Sequence, residues 1–110
     1  MIKAELNDVV EILVDIPEQN LRAGAQGTIV HQHDVDVYEV EFTGENGETI
    51  ALCSIPQRLF IIVWQASQGK HVPLPEQIAQ IVSRLPQEAG AEVLDFARFL
   101  SVRMDQLTSE

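Results

Sequence analysis

The sequence is short of several residues that would narrow its chemistry. It has one cysteine in 110 residues, which excludes an intrachain disulfide and a cysteine-based zinc cluster. Basic residues are scarce: seven Lys and Arg stand against seventeen Asp and Glu, a formal charge of −10. Nucleic-acid affinity comes chiefly from Lys and Arg displacing counterions, so a surface this acidic repels phosphate backbones. No apolar run approaches the ~20 residues of a membrane helix. The opening residues, Met1 to Asp8, lack the apolar run of a signal peptide. A soluble cytoplasmic protein is expected. No Ser-His-Asp order, P-loop, Rossmann fingerprint or His-Glu-x-x-His word occurs. The residues therefore point to no enzyme and to no cofactor.

Apolar residues make up 45% of the chain, enough for a folded core in one small domain with an appendage. The acidity is concentrated. Residues 1–65 carry Lys3, Arg22 and Arg58 against eleven acids, whereas residues 66–110 carry four basic and six acidic side chains. Such a charge suits solubility or a basic partner.

Hydrophobic period marks five strands in the first part. From Asp8 to Ile16, the residues Val10, Ile12, Val14 and Ile16 alternate onto one face. Pro17 breaks this strand, and a polar loop follows with Leu21 as its inward anchor. Gly24 and Gly27 are expected to take backbone angles that other residues resist. Thr28 to His33 reads as the second strand. In the third, Tyr38, Val40 and Phe42 share a face opposite Glu39 and Glu41. Asn46-Gly47 reads as a tight hairpin. Thr49 to Ile55 and Leu59 to Trp64 complete the set, with Pro56 between them. Five short strands joined by tight turns imply a small closed barrel.

The spacing resembles that of SH3-like barrels, and Gly24-x-x-Gly27-Thr28-Ile29-Val30 is similar to the turn and strand of KOW-type members. A closer resemblance is to an uncharacterised small-barrel family, a domain of unknown function. Asp8-Val9-Val10, Pro17-Glu18, the Gly24–Val30 word, Tyr38-Glu39-Val40-Glu41-Phe42 and Gly47-Glu48-Thr49 carry it. It spans roughly the first 62 residues and brings no catalytic residues.

Residues 65–73 read as a polar linker. Two helices follow, each opening on a Leu-Pro word, at Leu74-Pro75 and Leu85-Pro86. On the first, Leu74, Ile78, Ile81, Val82 and Leu85 form an apolar stripe. On the second, Ala89, Val93, Phe96, Ala97, Leu100, Met104 and Leu107 form another, with Phe99 and Val102 outside it. The expected architecture is thus mainly β plus α. A five-stranded SH3-like acidic barrel over 1–64 precedes a pair of amphipathic helices, a hairpin over 74–107.

Leu85-Pro86 followed by Glu92-Val93-Leu94-Asp95-Phe96-Ala97-x-Phe99-Leu100 resembles a short helical family grouped with VapB-type antitoxins. That resemblance implies a C-terminal segment that wraps a basic ribonuclease toxin. The usual N-terminal DNA-binding part is absent from the pattern; an acidic β-module stands there instead.

Candidate site residues follow. Val93, Phe96, Phe99, Leu100 and Met104 are expected to anchor a protein partner, because two short helices cannot shelter so much apolar surface alone. A structural or adaptor module is the alternative, its helices packing on the barrel or forming a homodimer. His31-x-His33 puts two imidazoles on one strand face near Asp34 and Asp36, a weak metal candidate without an evident third fixed ligand. Cys53 is a nucleophile only if a base lies beside it, and otherwise a packing residue. Glu39 and Glu41 read as solvated acids. Trp64 either anchors a partner or covers the barrel's open end, the latter being favoured.

Overall fold

The computed structural model describes residues 2–108, with side chains through residue 106. In chain order the strands are β1 (Val9–Ile12), β2 (Gln26–Asp34), β3 (Val37–Thr43), β4 (Thr49–Pro56), β5 (Phe60–Gln65) and β6 (Lys70–His71). Two helices follow, α1 (Leu74–Val82) and α2 (Gln87–Thr108). The chain divides into two compact units, Met1–Gln80 and Ile81–Glu110.

The first unit is an antiparallel sheet with strand order β4-β3-β2-β1-β5-β6. Alternation in the sequence places its core. Val10 and Ile12 from β1, Ile29 from β2, Tyr38, Val40 and Phe42 from β3, and Phe60 and Ile62 from β5 form one buried cluster. Tyr38 meets Phe60 edge-on, with ring centroids 5.8 Å apart, a favoured aromatic geometry. The opposite residues of β3, Glu39 and Glu41, are half-exposed.

Two expectations about this sheet are corrected. There are six strands, because part of the stretch read as a linker forms β6. Gly69, at φ +60°, turns the chain back, and Trp64 pairs with His71 and Gln65 with Lys70. The sheet is also open, not a closed five-stranded barrel. The outer edge of β5 is already occupied by β6, by the Val72 N–H donating to the Val63 carbonyl at 2.9 Å, and by Gln80.

Local differences have local causes. β1 stops at Ile12, and Val14 is exposed. Beyond Ile12 the chain is held by a Leu13 N–H bond to Leu59 and an isolated bridge between Ile16 and Leu21. Gly24 has the expected left-handed backbone, φ +98°. Gly27 is constrained by space instead: a Cβ there would lie 2.6 Å from Val40 Cγ1 and 2.8 Å from the Glu41 carbonyl oxygen. Asn46-Gly47 is not a two-residue hairpin. It sits in a five-residue loop closed by Gly44 and Glu48, and only Gly47 takes positive φ.

Among the described residues no helix is long and apolar enough to cross a membrane. On α1 the sole buried residue is Gln80, while Leu74, on the expected apolar stripe, is 68% exposed. α2 runs for 22 residues.

Candidate functional site

α2 carries the residues expected to meet a partner. A helix of this length normally buries one stripe, because tertiary packing supplies most helical stability. No described residue of α2 is buried. Phe96 is 62% and Phe99 56% exposed, and Met104, Leu94 and Val102 are also open. Leu100 is half-buried and Val93 sits at the margin of exposure. Phe96 and Phe99 stack with centroids 6.1 Å apart, and the Arg103 guanidinium lies 5.7 Å from the Phe99 ring centre. Asp95 and Arg98 pair one turn apart. The exposed aromatics are thus clustered and edged by charge. The side chain of Leu107 lies outside the described residues.

A second feature lies wholly in the first unit. A groove of about 470 Å³ opens on the outer face of β1, β2, β5 and β6. Register explains its floor. Val9 and Glu11 point away from the core on β1; Glu11 faces Gln26 on β2, and Val9 faces Trp64, which in turn faces His71 on β6. Val63 and, from α1, Gln77 complete the lining. Gln77 Nε2 donates to the Val72 carbonyl at 3.0 Å, which leaves its Oε1 as an acceptor. Glu11 is half-buried, and among the described residues no basic side chain pairs with it. Trp64 stands outside the core cluster. It lines this groove and does not cover the end of a barrel.

The other candidates find ordinary partners. His31 and His33 do come together, with ring centroids 4.9 Å apart and edge to face. His33 Nε2 lies 3.2 Å from Glu39 Oε1, while Asp34 Oδ1 accepts the Val35 N–H at 2.7 Å. No group of three or more His, Cys, Asp or Glu side chains suited to a metal occurs among the described residues. Glu41 accepts a hydrogen bond from the Thr49 hydroxyl. Cys53 is buried within the core cluster. Burial pushes its thiol pKa up, and the Glu18 charge adds to this, so the nucleophilic thiolate is disfavoured. Arg22, the basic residue of the β1–β2 loop, shares a small cavity with Asp15, which offsets its pull on phosphate.

Two polar residues that organise the first unit escaped the sequence reading. The Asp8 carboxylate is buried and accepts the Glu5 N–H at 2.9 Å and the Ala66 N–H at 2.8 Å. It ties the start of β1 to the end of β5, 58 residues away. Gln80 is 2% exposed, and its amide grips one peptide unit: Oε1 accepts the Ile62 N–H at 2.8 Å and Nε2 donates to the Ile62 carbonyl at 2.9 Å. The glutamine takes the place of one strand residue on the sheet edge. The word Asp8-Val9-Val10 was a signal for the first. A buried glutamine on a short helix leaves no signal for the second.

Residues 6–62 match the model of a domain of unknown function, DUF4926, and the chain belongs to that family. The match ends before β6 and both helices. Asp8, Glu11 and Gln26 fall inside it, whereas Trp64, His71 and Gln77 fall beyond it. No curated protein and no solved structure matches the chain.

Proposed function

We propose that this chain is a non-enzymatic protein–protein interaction protein that binds its partner through the C-terminal helix α2. The observation carrying this reading is the open aromatic and aliphatic face of a 22-residue helix with no buried side chain among those described. Amphipathic helices bind by laying such a face into a groove, with anchors spaced by three and four residues. Val93, Phe96, Leu100 and Met104 have that spacing, and Phe99 adds the stacked ring. Aromatic anchors commonly dominate binding energy.

The finer form of the proposal is an antitoxin-like role. The likeness of residues 85–100 to VapB-type antitoxins supports it, and the charge of −10 suits a basic ribonuclease toxin as the partner. A cytoplasmic setting fits the free thiol of Cys53. A second reading, a homodimer without a toxin, is favoured by one feature of α2. Glu92 and Arg103 flank the same apolar face, and antiparallel pairing of two α2 helices would bring them together across the interface.

The test uses the full chain, because removing everything after Trp64 would also remove β6 and the Gln80 grip. The chain is co-expressed with the product of the gene beside it, the candidate ribonuclease, with and without Phe96→Asp and Phe99→Asp together. The proposal expects the ribonuclease to co-purify with the native chain and not with the double variant. Equal recovery by both, or no recovery by the native chain, would sink it. Light scattering on the native chain alone separates the homodimer reading: a dimer that the double substitution splits supports it.

A further inference from the structure

We infer that the groove beneath Gln77 is a docking site for an arginine side chain presented by a basic protein. The inference concerns the first unit alone and stands whether or not α2 binds a partner.

Three independent features converge there. Glu11, a half-buried residue of the lining, carries a carboxylate with no basic partner among the described residues. A carboxylate on the lining with no cation beside it favours a cationic ligand over a neutral or anionic one. Trp64 supplies an indole on the same lining, and a guanidinium is the cation that both stacks on an aromatic face and pairs with a carboxylate. The acceptor set is the third. Gln77 gives one amide hydrogen to the Val72 carbonyl and keeps Oε1 as an acceptor. A guanidinium carries five donors in a plane and no acceptor, which suits the Glu11 carboxylate and the Gln77 Oε1 on this lining.

The surrounding field favours the same ligand. Residues 1–80 hold four basic and twelve acidic side chains, and such a surface raises the local concentration of cations and steers basic partners towards it. His71, the other titratable group of the lining, is exposed. A phosphate or carboxylate ligand would meet Glu11 directly and is excluded on charge.

Trp64 is the only tryptophan in the chain, so its emission reports on the groove directly. The full chain is titrated with a capped five-residue peptide of glycine and alanine around one arginine. The same peptide with citrulline, which keeps the shape and lacks the charge, serves as the control. Arginine amide alone is the third probe. The expected result is a saturable change in emission with the arginine peptide. Citrulline in its place, or Glu11→Gln in the protein, should weaken binding by about tenfold or more, the usual scale for a lost charged hydrogen bond. Amide resonances of Val9 and Trp64 should move in parallel. Equal binding of the citrulline peptide, no weakening by Glu11→Gln in a chain with native melting behaviour, or no saturable change would overturn the inference. Arginine amide binding as tightly as the peptide would also overturn it, because the groove would then belong to a free small cation.

Discussion

The two units of this chain use polar side chains in opposite ways. In the first, polar groups are drawn inside and fully engaged: Asp8 and Gln80 are both buried and each closes two backbone hydrogen bonds. In α2 the charged groups stay outside and so do the rings of Phe96 and Phe99. The first unit has built a contiguous buried apolar cluster of its own. The second has not. The chain therefore presents two different surfaces, a groove lined by Glu11 and Trp64 and an open hydrophobic helix face.

The sharpest way to break this contrast is at Gln80. Replacing it by Leu keeps the volume and the helix propensity but removes both bonds to Ile62. The Ile62 N–H and carbonyl would then be buried without partners, at a cost of about 3 kcal/mol. Chemical denaturation should show that loss. If Gln80→Leu were as stable as the native chain, the glutamine would be a passenger and the sheet edge would be closed by something else.

Alternating strands were readable because one face of each packs inward. Val10, Ile12, Tyr38, Val40 and Phe42 all lie in the cluster that their period implies. β6 was not readable, because two polar residues carry no period and their pairing is decided by Gly69 and by β5. Gln80 was hidden for a similar reason: a polar residue on a helix reads as solvent-facing, and only the unpaired edge of β5 gives it a reason to turn in. On α1 the expected stripe of Leu74 and Ile78 stands exposed, because the residue that docks is polar. The groove could not be read at all. Its lining comes from four strands and a helix, and no sequence spacing announces it. The anchors of α2 were nameable from helical period alone, since they depend on no long-range contact.

A smaller effect separates the units by pH. Burial raises the Cys53 thiol above its ordinary 9.0, with the Glu18 charge second. It likewise raises the Tyr38 hydroxyl above 10.0, with Asp36 second. Unfolded, both groups ionise at the ordinary values; folded, both keep their protons longer. The folded chain then binds more protons than the unfolded one, so their contribution to stability is complete below the unfolded values and is lost as pH rises through the folded ones. The melting temperature should decline as pH climbs past about 9, where the unfolded thiol begins to ionise. Cys53→Ser should delay the onset towards 10.0, where Tyr38 takes over. α2 contains no Cys, Tyr or Lys, so its helical signal should not share that onset. A common onset for sheet and helix signals would mean that the two units unfold as one.

The smallest effect on folding is expected where the largest effect on binding is proposed. Phe96→Asp and Phe99→Asp together remove two exposed rings from α2. Exposed substitutions of this kind change stability by only about 0.5 kcal/mol either way. Thermal unfolding of the double variant should therefore overlay the native curve at low protein concentration. A sharp drop in melting temperature would place those rings inside a packed interface and fill the role assigned here to an external partner. A drop that grows with protein concentration would identify that interface as a second copy of the chain, because association adds stability by mass action. An unchanged curve leaves α2 with a surface that its own fold does not need.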